Sequence, residues 1–139
     1  MDADVVTDIE IDRPRSQVAD YASNPDNATE WYENIKKVEW KSPRLLREGA
    51  QVAFEAEFMG NKMEYTYEIA EYIPGEKLVM KTASGPFDMQ TKYKFSDTPG
   101  GGTKMELSNL AHDPGMASAI EEANRKDLAR LKSILENDK

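Results

Sequence analysis

The chain of 139 residues carries 18 lysine and arginine residues against 26 aspartate and glutamate residues, which gives a net charge of -8. An acidic surface repels nucleic-acid phosphates and anionic lipid headgroups, so no nucleic-acid partner is expected. The sequence contains no cysteine, which excludes a disulfide framework, thiolate metal ligands and a cysteine nucleophile.

The first predicted elements are a strand and two short helices. Residues 3–11 alternate loosely and end at Asp12, a candidate cap for a helix with Pro14 in its first turn. A second short helix is expected to begin at Asn24 as N-cap, followed by proline, and to end near Trp31. Two such helices form a corner that can cover one end of a sheet, and that corner would bury Trp31, which lies in an otherwise polar run.

From residue 35 onward, period-two alternation predicts six antiparallel strands that join the first strand in one sheet. A two-residue turn at residues 60–61 would place Phe54 opposite Tyr67, with the apolar side chains on one face. In the same way, a turn at residues 84–85 would place Met80 opposite Met89. One face of this sheet is apolar and therefore needs a cover.

The last segment supplies that cover. Asp113 and Pro114 form a further cap-and-proline start, and no helix breaker follows Gly115. The apolar residues then form one stripe at helical spacing: Met116, Ile120, Ala123, Leu128, Leu131, Ile134 and Leu135. The glycine-rich stretch "TPGGG" before the last strand is interpreted as a hairpin turn, because it lacks the spacing of a phosphate-binding loop. This turn would place Phe95 opposite Met105.

In this order the elements resemble the START-related (SRPBCC) superfamily, with the closest likeness to its polyketide cyclase/dehydrase-like branch. The stretches that carry the resemblance are "IDRPRSQVADYASNPDNATEWYENIKKVEW", "EYIPGEKLVMKTASG" and "DTPGGGTKMEL". The resemblance implies an α+β helix-grip fold over a single domain, residues 1–139. In that fold a curved seven-stranded antiparallel sheet wraps around a long C-terminal helix, and two short helices follow the first strand.

The same resemblance implies a cavity between sheet and helix that binds a hydrophobic or amphipathic small molecule. It implies no fixed catalytic set, because the superfamily includes enzymes, carriers, ligand sensors and co-chaperones. Within such a cavity, Trp31 would pack under the helical corner, against the sheet or the cavity wall.

Two polar residues, Asn124 and Asp127, fall within the apolar stripe of the last helix. A carboxylate facing an apolar cavity has its pKa raised by desolvation, so Asp127 is a candidate acid/base group or ligand anchor. In the alternative interpretations, Asp127 lies at a cavity mouth filled with water, or it forms an ion pair with an arginine or lysine.

Several hydroxyl and amide side chains lie at positions of the strands that face inward. A cavity with polar groups on its wall would explain why the core carries so many of them. Tyr65 or Tyr93 could assist Asp127 in catalysis. The candidate ligand-binding residues are Trp31, Phe54, Tyr65, Tyr67, Met80, Met89, Thr91, Tyr93, Asn109, Ile120, Asn124 and Asp127.

Metal and cofactor sites are not expected. His112 is the only histidine, so no multi-histidine site can form, and its place next to the last helix favours a solvated loop residue over a general base. The acidic N-terminus lacks the features of a secretory signal and no apolar run could span a bilayer, so a cytoplasmic location is expected.

Three functions remain open. The first is binding of a small hydrophobic ligand, by a monomer or a homodimer. The second is a polyketide cyclase- or dehydratase-like enzyme that uses the same cavity. The third is a protein-interaction module resembling chaperone-activator domains, which predicts a filled core instead of a cavity.

Overall fold

The computed structural model describes residues 3–58, 60–84, 89–111 and 114–137. Its strands form one antiparallel sheet in the order β1-β7-β6-β5-β4-β3-β2, so that β1 and β2 are the edges. The strands are β1 Ala3–Ile11, β2 Ile35–Trp40, β3 Gln51–Phe58, β4 Asn61–Ile73, β5 Lys77–Ser84, β6 Gln90–Asp97 and β7 Thr103–Ala111. This is the predicted seven-stranded sheet.

The helices also follow the predicted order: α1 Arg15–Ser23, a 3-10 turn Pro25–Asn27, α2 Ala28–Trp31 and the long α3 Pro114–Asn137. Asn24 caps the 3-10 turn as predicted, since its side chain accepts a 3.0 Å hydrogen bond from the Asp26 N–H. The predicted cap at Asp12 is wrong. Pro14 is the N-cap of α1 and its side chain makes no capping hydrogen bond, while the Asp12 N–H donates to the Glu136 carboxylate at 2.8 Å.

Two of the predicted hairpin registers are wrong by two residues. In the β3–β4 pair, Phe54 faces Tyr65. In the β5–β6 pair, Met80 faces Thr91, and residues 85–88 of this hairpin lie outside the described residues. Because side chains alternate with period two, a shift of two residues leaves every side chain on its predicted face. The inward and outward faces are therefore as predicted.

The glycine-rich hairpin between β6 and β7 has the predicted register, with Phe95 opposite Met105. The turn closes with the Thr98 N–H donating to the Gly102 carbonyl at 3.0 Å, and Gly101 has φ +83°, a conformation that favours glycine. Elsewhere the register shifts between Ile69 and Glu71, in the β4–β5 pair. Such irregularities increase local twist and bend a sheet.

The concave face of this sheet receives α3, which makes the molecule a helix-grip fold. The C-terminal half of the α3 stripe is buried at Leu128, Leu131 and Leu135. The N-terminal half is only partly buried at Met116 and Ile120. The space between sheet and helix is thus filled at one end and open at the other.

Within the described residues, no helix has both the length and the apolar character needed to cross a membrane.

Candidate functional site

A cavity of about 160 Å³ lies where the N-terminal half of α3 leaves the sheet uncovered. The strands β2 to β7 provide its floor, α3 its roof, and the corner formed by α1 and α2 closes one end. All but one of the candidate ligand-binding residues line it: Phe54, Tyr65, Tyr67, Met80, Met89, Thr91, Tyr93, Asn109, Ile120, Asn124 and Asp127.

The exception is Trp31, which lies behind the wall. Its side chain is fully buried, at 0% exposure, with ring centroids 4.0 Å from Tyr32 and 5.8 Å from Tyr93. Its indole Nε1 is buried and has no hydrogen-bond partner among the described residues. Trp31 therefore supports two lining tyrosines, and it contributes no surface to the cavity itself.

Tyr32 is a lining residue that the sequence analysis missed. Its hydroxyl lies 2.7 Å from the Tyr93 hydroxyl, in a hydrogen bond that either oxygen can donate. The sequence does indicate that Tyr32 is partly buried, since it is the second aromatic residue of the same polar run as Trp31. Burial raises the pKa of both Tyr32 and Tyr93, so both hydroxyls stay protonated at neutral pH and keep their hydrogen-bonding protons.

Asp127 adds a carboxylate to the lining of the same cavity. Only 2% of the residue is exposed, and its Oδ1 accepts a 3.1 Å hydrogen bond from the Glu33 N–H. Burial raises the pKa of Asp127 to about 6; the Glu33 N–H bond and the charge of Arg130 oppose this rise, and the Glu33 charge adds to it. The charge of Asp127 in turn raises the pKa of Tyr32 and of Tyr93, and all three residues line the same cavity.

A second polar group is a chain of hydrogen bonds from α3 across the sheet. Asn124 donates from Nδ2 to the Oδ1 of Asn109 at 2.6 Å. Asn109 donates from Nδ2 to the Thr91 hydroxyl at 2.9 Å, and that hydroxyl lies 2.8 Å from the Tyr67 hydroxyl. Asn124 and Thr91 are both buried, so this chain satisfies polar groups that would otherwise be costly inside the protein.

The rest of the wall is apolar and aromatic. Phe54 stacks on Tyr65 with ring centroids 5.6 Å apart, and Tyr65 meets Tyr67 edge-on at 5.1 Å. Burial raises the pKa of Tyr67 to about 12 and that of Tyr65 well above its usual value. The aromatic wall is therefore uncharged at neutral pH.

Among the described residues, no group of three or more His, Asp or Glu side chains is arranged to hold a metal ion. His112 and Asp113, which the sequence analysis singled out, lie outside the described residues.

Comparison with known proteins is consistent with this architecture. A family model described as "Polyketide cyclase / dehydrase and lipid transport" matches residues 2–136. The chain therefore belongs to this family. No curated protein sequence matches it closely enough to count as a relative.

Solved structures of other proteins share the fold at low sequence identity. The ZhuI aromatase/cyclase from Streptomyces sp. R1128 superposes with a TM-score of 0.80 at 14% identity, over 98% of this chain and 94% of that one. The protein TTHA0849 from Thermus thermophilus gives 0.79 at 18% identity, over 98% and 100%. Major latex-like protein 151 from Panax ginseng gives 0.74 at 12% identity, over 95% and 96%. At these identities the likeness concerns the fold alone.

Proposed function

We propose that the protein binds a hydrophobic or amphipathic small molecule in the cavity between the sheet and α3. The observation that carries this proposal is the unfilled space of about 160 Å³ at the open end of the helix grip. Its wall combines apolar surface with a few converging hydrogen-bonding groups, which is the usual composition of a small-molecule site. The family description, which includes lipid transport, agrees with this proposal.

The volume limits the size of the ligand. A comparable engineered apolar cavity of about 150 Å³ in another protein holds benzene. The part of a ligand enclosed here therefore has about the size of one substituted aromatic ring or a short branched chain. The lining methionines Met63, Met89 and Met116 are partly exposed and flexible, so they can adjust to ligands of different shape.

A pair of matched substitutions on α3 tests the proposal. Ala123 lines the cavity and Ala129 faces solvent on the same helix. We expect Ala123→Phe to fill the cavity and abolish binding of a neutral aromatic probe, 2-phenylethanol, measured by NMR titration. Ala129→Phe should bind the probe like the unmodified protein. Binding that survives in a folded Ala123→Phe variant would place the ligand elsewhere and contradict the proposal.

An enzyme that uses the same cavity is the second candidate. The observation that favours it is the Asp127 carboxyl, with a pKa of about 6, in the same cavity as the hydroxyls of Tyr32 and Tyr93. A group that titrates near neutral pH is suited to general acid–base catalysis. A cyclase or dehydratase of this kind would lose turnover of a polyketide-like substrate in Asp127→Asn and keep substrate binding. Unchanged turnover in that variant would exclude Asp127 as the acid or base.

The third function, a protein-interaction module, was expected to have a filled core. The cavity under α3 favours ligand binding over that alternative.

A further inference from the structure

The side chains that line the cavity give its wall a negative electrostatic potential. Five aromatic rings line it, those of Tyr32, Phe54, Tyr65, Tyr67 and Tyr93. The faces of aromatic rings carry negative electrostatic potential and attract cations. Of the described residues that line the cavity, Asp127 alone carries a charge, and that charge is negative; no lysine or arginine is among them.

Among the described residues, the carboxylate of Asp127 also lacks a counterion. Its hydrogen bond in the described structure comes from the neutral Glu33 N–H and reaches only Oδ1. Arg130 influences Asp127 through its charge but is exposed on α3 and forms no ion pair with it among the described contacts. Buried charges in proteins are usually paired, so an unpaired carboxylate at 2% exposure points to a missing positive partner.

We propose that the ligand of this cavity is an organic cation, in which a protonated amine is attached to an apolar body about the size of one aromatic ring. The amine would lie against the Asp127 carboxylate and the Tyr32–Tyr93 pair, and the apolar body would contact Phe54 and Tyr65. This inference rests on the proposed function, because it assigns a chemical class to the ligand of the same cavity.

The charge of the whole chain agrees with this assignment. A net charge of -8 attracts cations and repels anions as they approach. Inside the cavity, an anionic ligand would meet one carboxylate and five aromatic rings, with no cationic side chain among the described lining residues to neutralise it. A neutral ligand would leave Asp127 unpaired.

Three probes of similar size that differ in charge test the assignment: 2-phenylethylamine, 2-phenylethanol and phenylacetate. Calorimetric or NMR titration at pH 7.5 compares a cation, a neutral alcohol and an anion on nearly the same body. Charge-assisted hydrogen bonds are stronger than neutral ones, so the amine should bind at least about tenfold more tightly than the alcohol. Phenylacetate should bind more weakly than the alcohol.

Two variants that each remove one negative charge distinguish the effect of the cavity carboxylate on binding from the effect of net charge. Asp127→Asn should abolish the preference for amine over alcohol. Glu33→Gln should preserve it, because Glu33 is exposed and its side chain does not line the cavity. The Glu33 N–H that bonds Asp127 belongs to the backbone and is retained. Circular dichroism checks that both variants are folded.

The outcomes distinguish this inference from the proposed function. Tight binding of the alcohol without a preference for the amine would overturn the cation assignment and leave the ligand site intact. An amine preference that persists in folded Asp127→Asn would also overturn it. If none of the three probes binds, both the assignment and a site for one-ring ligands are wrong. Should Asp127→Asn fail to fold, the comparison of the three probes in the unmodified protein still decides the question.

Discussion

At the scale of single residues, the buried carboxyl of Asp127 carries a cost in stability. Its pKa of about 6 in the folded protein lies above its ordinary value of 3.8. Between these two pH values the folded chain holds more protons than the unfolded chain, so stability falls as the pH rises through this window. Above pH 6 the ionised carboxylate therefore costs about 3 kcal/mol, at about 1.4 kcal/mol for each pH unit.

Replacing this carboxylate should stabilise the free protein at neutral pH. For Asp127→Asn we expect the free energy of unfolding at pH 7.5 to rise by about 1–3 kcal/mol, because the amide oxygen can still accept the Glu33 N–H bond without a buried charge. The gain should shrink as the pH falls from 6 to 4 and be lost below pH 4, where Asp127 is neutral in both the folded and the unfolded chain. Urea unfolding at pH 3.5 and pH 7.5 measures the difference, with Glu33→Gln as the control for net charge. A loss of stability at pH 7.5 would mean that a cationic partner already pairs with Asp127.

At the scale of secondary structure, the sequence patterns predicted which face of each strand points inward but not which residues face each other. The registers around Phe54 and Met80 are each off by two residues. Alternation has a period of two and cannot detect such a slip. The register at Phe95 was predicted correctly, because the glycine-rich turn fixes the loop length there.

The helical pattern was also informative, because residues at helical spacing lie on one face of the helix. Asn124 and Asp127 are polar residues within an apolar stripe, and both are buried in the structure. Tyr32 was missed because it lies outside any periodic element, in the chain that follows α2. Its orientation depends on packing against Trp31 and Tyr93, which no local pattern encodes.

The hydrogen bond between α3 and the sheet at Asn124 should contribute measurably to stability. Asn124→Leu removes the donor to the Asn109 side chain and leaves that oxygen unsatisfied. We expect a loss of about 1–3 kcal/mol in urea unfolding, the usual penalty for an unsatisfied buried polar group. The exposed neighbour Arg125 offers a control, and Arg125→Leu should change stability by less than about 1 kcal/mol.

A double variant separates this hydrogen bond from general packing. In Asn109→Leu/Asn124→Leu both partners are apolar, so the loss should be smaller than the sum of the two single losses. Strict additivity of the two losses would mean that the side chains do not depend on each other.

At the scale of the whole molecule, the two halves of α3 are held differently. The C-terminal half is anchored by buried leucines and by Glu136, which accepts a hydrogen bond from the Asp12 N–H at 2.8 Å. The N-terminal half covers the cavity and packs less completely. The elements around the cavity could be predicted from sequence, but its volume could not, since it depends on how side chains from six strands and α3 pack together.

Because the cavity lies under the less completely packed half of α3, we expect a bound ligand to stabilise that half more than the other. A molecule that binds only the folded state adds stability as its concentration rises, about 2.7 kcal/mol at one hundred times its dissociation constant. For a chain of this size such a gain raises the melting temperature by several degrees. We expect 2-phenylethylamine to produce this shift and to slow amide hydrogen exchange in residues 116–127 and 28–35, which border the cavity. Exchange in residues 128–137 should change less, because that half of α3 is already packed. Protection spread evenly over the helix would mean that the cavity end is no less stable than the anchored end before the ligand arrives.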